Sequence, residues 1–197
     1  MRVAGAIILA RHGEPALSRK VRLSAAQYRD WWARYEEGGL KVDQAAPADL
    51  IAVAATAGVI LSSTRERARQ SAALLAPGRA IIFDPTLIEA PLPSPPLPTW
   101  IRLSPRYWGV VARMCWWFFN YHDGQESRAQ AERRAYAAAR GIVARATAGE
   151  DVLVVAHGFF NAMLGRALIA MGWRRAFGRG YDYWSLRRFE GPNRRGD

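Results

Sequence analysis

Apolar residues in this chain fall into two patterns. Some form short unbroken runs, and others recur at the three- and four-residue spacing of a helix face. Val3 to Ala10, Val59 to Ser62, Ala80 to Phe83 and Asp151 to Ala156 are runs of the first kind. Each reads as a strand, the first of them buried. Ser24–Glu37, Pro47–Ala57, Thr64–Leu75, Ser127–Thr147 and about Phe159–Met171 show the helical pattern. Ser24 stands at an N-cap position, Pro47 opens the second helix, and Pro77-Gly78 ends the third. Tyr181 to Phe189 alternates and predicts a last strand. Pro91 to Pro98 holds five prolines in eight residues, a stiff loop that cannot feed a sheet ladder. Thr99 to Tyr121 is rich in aromatic residues and predicted helical in part.

Strands alternating with helices predict an α/β fold, a three-layer sandwich whose mostly parallel central sheet is flanked by helices. No repeat and no break in composition divides the chain, so residues 1–190 are expected as one domain. The stretch from about 91 to 125 is expected as a small cap insertion over a site, and 191–197 as a loose tail. The first apolar run is too short to span a bilayer, lacks a secretory layout and stops at Arg11-His12. The single cysteine, Cys115, excludes an internal disulfide and fits a reducing compartment. The expectation is a soluble cytoplasmic protein with no membrane partner.

Charge adds one element. The chain has 28 Lys+Arg against 17 Asp+Glu, a net +11, and only Lys20 and Lys41 are lysines. Such a field attracts phosphates, nucleic acid or acidic lipid. The arginines are scattered, however, so a compositional bias spread over solvated faces explains them equally well. The densest cluster, Arg187-Arg188 with Arg194-Arg195, is C-terminal.

Three constellations carry chemistry. Arg11-His12-Gly13-Glu14 directly follows the first strand. Ligands in open α/β sheets bind at the carboxyl ends of strands, so this histidine is placed to attack an anion. Arginine offers paired planar donors to phosphate oxygens, and glycine lets the backbone approach closely. Ser62-Ser63-Thr64-Arg65-Glu66-Arg67 turns a strand into a helix start, where free N–H groups favour anions. Arg67 lies in the first turn within reach of a phosphate, while Arg65 and Arg69 fall on other, solvated faces. Ala156-His157-Gly158 repeats the strand, His-Gly, helix arrangement. One such histidine merely caps a strand; two, with arginines beside them, point to a site.

These segments, in this order over residues 7 to about 165, resemble the histidine phosphatase (phosphoglycerate mutase-like) superfamily. Arg11-His12-Gly13-Glu14 is similar to its opening motif, Ser62 to Ala72 to its second, and Ala156-His157-Gly158 to its late His-Gly. Glu126-Ser127 with Arg133 or Arg134 resembles its Glu-Ser…Arg segment. The resemblance implies that His12 attacks phosphorus and becomes phosphohistidine. It implies that Arg11, Arg67 and His157 surround the phosphoryl oxygens. Glu89 would protonate the leaving oxygen and then help water attack. Two nearby guanidinium groups would keep His12 neutral, as a nucleophile requires. No cofactor and no metal are implied.

The chain departs from the family pattern in places. Ser18 stands where an asparagine is frequent, and is carried as a candidate phosphate contact beside its local capping role. Prolines follow Glu89 in place of a glycine-rich, tryptophan-containing stretch, which leaves Asp84 and Glu126 as fallback acids. Asn161 stands near a frequent arginine, either facing substrate or making an ordinary contact. Trp100, Tyr107, Trp108, Trp116, Trp117, Phe118 and Phe119 predict a packed cap or, more sharply, a lid that selects an apolar leaving group, with a dimer face or membrane-surface contact as the third reading. Trp31-Trp32 and Tyr35 are its candidate counterpart. His122 falls in a turn. The expected function is metal-independent hydrolysis of a phosphomonoester, on a small molecule or a phosphoprotein. A phosphoglycerate mutase-type phosphotransferase and a silent anion- or nucleic-acid-binding module are the alternatives. The expected partner is a phosphorylated substrate, with no nucleic acid, and no pattern in the chain sets an oligomeric state.

Overall fold

The computed structural model describes residues 4–178, 180 and 182–192. Arg194-Arg195, most of the expected tail and the first residue of the opening apolar run lie outside them. Six strands form the central sheet: β1 (Ile7–Arg11), β2 (Val59–Ser63), β3 (Ile82–Asp84), β4 (Val152–Ala156), β5 (Arg174–Phe177) and β6 (Leu186–Glu190). Their order across the sheet is β3-β2-β4-β1-β6-β5. β3, β2, β4 and β1 pair in parallel, and β6 runs antiparallel to both β1 and β5. The helices are α1 (Ala25–Glu37), α2 (Ala48–Thr56), α3 (Glu66–Leu75), α4 (Pro105–Phe119), α5 (Arg128–Thr147) and α6 (Gly158–Ala170). This is the expected α/β class with a mostly parallel sheet.

The unbroken apolar runs have a structural cause. Ile7 and Leu9 of β1, with Val152, Val154 and Ala156 of β4, pack toward α5 and α6. Ile8, Ala10, Leu153 and Val155 pack on the opposite face with Leu50 and Ala54 of α2 and Ala72 and Leu75 of α3. Every position of Ile7–Ala10 and Val152–Ala156 is thus buried, and no polar alternation survives there, whereas β3 at the sheet edge leaves Ile82 and Phe83 exposed. α5 meets the core with Ala131, Ala135, Ala139, Ile142 and Ala146. These mostly small side chains let its backbone lie close to its neighbours. Ser127 and Gln130 form a capping box at its start, as Ser24 and Gln27 do for α1.

A third core stands apart from the sheet, where Tyr28, Trp31 and Tyr35 of α1 meet Trp108 and Ala112 of α4. The proline-rich segment joins it without regular structure. Ser94 Oγ donates to the Ala25 carbonyl at 2.7 Å, and Leu103 pairs with Leu23 in an isolated bridge. Among the described residues no helix is long and apolar enough to cross a membrane.

Two elements differ from the sequence reading. β5 has no counterpart there, because all four of its residues are exposed and an edge strand without a buried face leaves no period. The last strand begins at Leu186, because Asp182 to Ser185 form a turn in which Ser185 N–H donates to the Asp182 carbonyl and Trp184 adopts φ 62°. That turn brings Tyr183 to the carboxyl end of β1.

Ala139 is fully buried in α5. Enlarging it tests how close this helix sits: Ala139→Leu is expected to lower stability by about 1–3 kcal/mol through overpacking. A urea midpoint shifted down with an unchanged slope checks this.

Candidate active site

β1, β2 and β4 run the same way, so their carboxyl ends share one edge of the sheet. His12 follows β1, Ser63 ends β2, and His157 follows β4 as the N-cap of α6. The His12 N–H donates to the Ala156 carbonyl at 3.0 Å, tying two of these ends together. The two imidazoles stand edge to face with centroids 5.1 Å apart.

Each ring has a defined orientation. His12 Nδ1 lies 2.7 Å from the carbonyl of Gly13 and Nε2 lies 3.3 Å from Arg67 Nε. A carbonyl only accepts and a guanidinium only donates, so Nδ1 carries the proton and Nε2 keeps its lone pair. The same logic protonates His157 at Nε2, 2.9 Å from Ser63 Oγ, and leaves Nδ1 to accept from Arg67 Nη2 at 3.3 Å. Burial pushes the pKa of His12 well below its ordinary 6.5, and the charges of Arg67 and Arg11 lower it further. Burial likewise lowers His157, assisted by Arg67 and by His12.

Arg67 is the centre of the arrangement. It is 1 % exposed. Nη1 donates to the carbonyls of Tyr35 and Glu36, at 2.8 and 3.2 Å, and Nη2 donates to Glu36 Oε1 at 2.7 Å. Glu36 also pairs with Arg65 at 2.9 Å, so Arg65 is not simply solvated as its helical position implied. Arg69 keeps the expected exposed position, beside Glu66. Ser71 Oγ donates to the Arg67 carbonyl at 2.6 Å and accepts the Gly13 N–H at 2.9 Å. Gly13 is required by packing, since a Cβ there would run into the Trp184 ring. Arg11 lies with its guanidinium 4.3 Å from the Tyr183 ring centroid. Gly158 leaves room for it, since a Cβ there would stand 3.3 Å from Arg11 Nε.

Glu89 follows a short 3-10 turn, Pro85–Leu87, and reaches the start of α6. Its Oε2 and Oε1 accept the N–H groups of Phe159 and Phe160 at 3.2 and 2.8 Å. Neither fallback acid lines the cavity that Glu89 lines. Asp84 caps the 3-10 turn through Thr86, and Glu126 holds Arg134 through both carboxylate oxygens. Ser18 is not brought to the cavity either. It is exposed, its hydroxyl accepts the Lys20 N–H at 3.1 Å, and its carbonyl accepts Trp31 Nε1. Arg19 lines the cavity instead, donating to the Tyr35 hydroxyl at 2.6 Å. Asn161 is buried and ties α6 to the Ala10 carbonyl of β1, so it makes the ordinary contact.

Arg11, His12, Arg67 and Glu89 therefore line one cavity of about 680 Å³, and His157 stands behind them on Arg67. Its floor is the strand-end cluster, and its walls are aromatic side chains of α1, α4 and α6. Glu36, Ser63, Ser71, Arg19 and Tyr183 escaped sequence reasoning. Only Ser63 and Ser71 belong to a segment that signalled itself. Among the described residues, no three His, Cys, Asp or Glu side chains are grouped to hold a metal ion.

Comparison with known proteins gives a consistent picture. The model of the histidine phosphatase superfamily (branch 1) matches residues 7–196. The fold is similar to that of a mycobacterial glucosyl-3-phosphoglycerate phosphatase, with TM-score 0.55 and 22% identity over 85% of this chain and 80% of that one. It is similar to YhfR of Bacillus stearothermophilus, with TM-score 0.56 and 23% identity over 85% and 81%. A phosphoserine phosphatase from Entamoeba histolytica gives TM-score 0.55 and 14% identity over 93% and 89%. No curated protein sequence matches the chain.

Two predictions test the electrostatics. Below pH 6.5 the unfolded histidines protonate while the folded His12 and His157 stay neutral. The unfolded state then binds more protons, so stability falls with pH from 6.5 toward the lowered folded values. The slope reaches about 1.4 kcal/mol per pH unit for each histidine. Urea titrations at pH 7.5 and 5.0 should show this loss, and His157→Gln should remove one histidine's share of it. Glu36→Gln should cost on the order of 3 kcal/mol, because it strips a buried guanidinium of its counter-charge. A double-mutant cycle with Arg67→Met reads the coupling.

Proposed function

The chain belongs to the histidine phosphatase superfamily, branch 1, and from that premise we propose that it is a metal-independent phosphomonoester hydrolase working through a phosphohistidine on His12. The observation that carries this reading is the state of that ring. Nδ1 is held by the Gly13 carbonyl, the pKa is depressed, and the Nε2 lone pair stands beside Arg67 at the cavity floor.

In the proposed cycle, a phosphomonoester enters with its phosphoryl oxygens toward Arg11 and Arg67, whose N–H groups exchange their resting partners for oxygen. His12 Nε2 attacks phosphorus, the bond to the leaving oxygen breaks, and the Glu89 carboxyl gives that oxygen its proton. Water then attacks the phosphohistidine, Glu89 takes a proton back, and phosphate leaves with His12 restored. Phosphoryl transfer requires mainly positioning and neutralisation of charge on the equatorial oxygens. His157, fixed between Ser63 and Arg67, acts on the phosphoryl oxygens or on the orientation of Arg67. An unprotonated imidazole nitrogen and a carboxyl group lining one cavity favour turnover over silent anion binding. The neighbours' names concern phosphoglycerate and phosphoserine esters, and the aromatic walls here favour a leaving group with an apolar body. We propose a cytoplasmic setting, in keeping with a single half-buried free thiol, Cys115.

The test is hydrolysis of para-nitrophenyl phosphate in the presence of a chelator. Wild type is expected to turn over, and His12→Ala is not; loss of activity on chelation would overturn the metal-free reading. Glu89→Gln separates the acid role. It should slow an alkyl phosphate by about 10²–10⁴-fold and para-nitrophenyl phosphate far less, since nitrophenolate leaves without a proton. Equal slowing of both esters would remove Glu89 from that role.

A further inference from the structure

Two polar atoms in the aromatic part of the cavity are buried and have no hydrogen-bond partner among the described residues, the Tyr28 hydroxyl and Arg113 Nη1. Tyr28 is 0 % exposed and is stacked on Trp31 and Trp108, with centroids 6.0 and 5.6 Å away. Its ring cannot turn to find a partner elsewhere. The hydroxyl meets α4 at Gly109, where a Cβ would stand 4.0 Å from it. Gly109 and Arg113 are one helical turn apart, so they share a face. The two orphan groups interact electrostatically.

Arg113 is fixed as firmly as Tyr28. Nη2 donates to the Ala90 carbonyl at 3.0 Å. The guanidinium lies 3.8 Å from the Phe159 ring centroid and 4.7 Å from that of Trp116. Nη1 is what remains. Glu89 is the one carboxylate among the lining residues, and backbone N–H groups hold both its oxygens. The lining also includes six arginines. The Glu89 charge acts on Arg113, but Arg11 and Arg67 suffice for one phosphoryl group, which leaves the Arg113 Nη1 donor without an acceptor among the described residues.

A buried donor left unpaired costs as much as a lost hydrogen bond, and two such donors on residues that line one cavity match an incoming acceptor. We propose that Tyr28 and Arg113 form a second subsite that binds a carboxylate on the leaving group, so that the substrate is a phosphomonoester with an aromatic or apolar body and a carboxylate. This rests on the phosphatase reading of the floor. Two donors suit the two oxygens of a planar carboxylate. A second phosphoryl group needs more donors than are buried there.

The test compares phenyl phosphate with phenyl phosphates bearing a carboxylate directly on the ring or through one or two methylenes. At least one carboxylated ester should exceed the parent in kcat/KM by about 10- to 100-fold, the worth of a charge-assisted pair. The ratio of carboxylated to parent kcat/KM should collapse in Arg113→Gln and fall in Tyr28→Phe, which removes only the hydroxyl and keeps the stack. Calorimetric titration with phenylacetate and phenylpropanoate gives a reading independent of turnover, with binding in wild type and loss in both variants. Turnover with every ratio within twofold of unity would overturn the subsite. If no ester turns over, the phosphatase reading fails, and the titration alone decides: wild type and variants alike would overturn the subsite, and binding lost in both would sustain it.

Discussion

A single buried guanidinium organises this molecule. Arg67 lies almost wholly out of water, and such a charge is tolerated only where its N–H groups find acceptors and a counter-charge. Arginine has five donors, and each has a partner here: His12 Nε2, the carbonyls of Tyr35 and Glu36, the Glu36 carboxylate and His157 Nδ1. Those acceptors come from the ends of β1 and β4 and from the last turn of α1. The pairing therefore welds the aromatic helix to the strand-end edge of the sheet, while it fixes the tautomers of both imidazoles.

The same cation has an electrostatic consequence. Burial alone depresses both histidines, and Arg67 depresses them further. His12 therefore stays neutral at pH values where a solvated imidazole would be partly protonated. In the proposed reaction a phosphoryl group arriving beside it meets two guanidinium groups, and the bond from Arg67 to an imidazole nitrogen is weaker than one to a phosphate oxygen.

The cavity joins two structures with different logic. Its floor is built by parallel strand ends, where geometry is set by the sheet. Its walls belong to a separate aromatic core between α1 and α4, joined to the rest through the proline-rich segment. In the proposed reaction, chemistry falls to the first and choice of leaving group to the second. The two meet through Arg67 and Glu36 and through Arg113, which lies on the Phe159 ring of α6.

The strand and helix order, the two His-Gly junctions, Arg11 and Arg67 could all be read directly from residue order, because buried strands and helix starts are local patterns. Glu89 and the superfamily came from resemblance, since no local rule marks that glutamate. β5 escaped because an edge strand with no buried face has no period. Ser18 was assigned by spacing, yet the backbone turned its hydroxyl to Lys20 and presented Arg19 instead. Glu36, Ser71, Tyr183, Tyr28 and Arg113 became site residues only through tertiary contact across 31 residues, in the case of Glu36 and Arg67, or more. The sequence by itself determined which strands would be buried and which side chains would stand at their carboxyl ends. Only the tertiary structure decided which donors found acceptors there and which were left unpaired, because hydrogen-bond satisfaction is a property of three-dimensional neighbours and has no period along the chain.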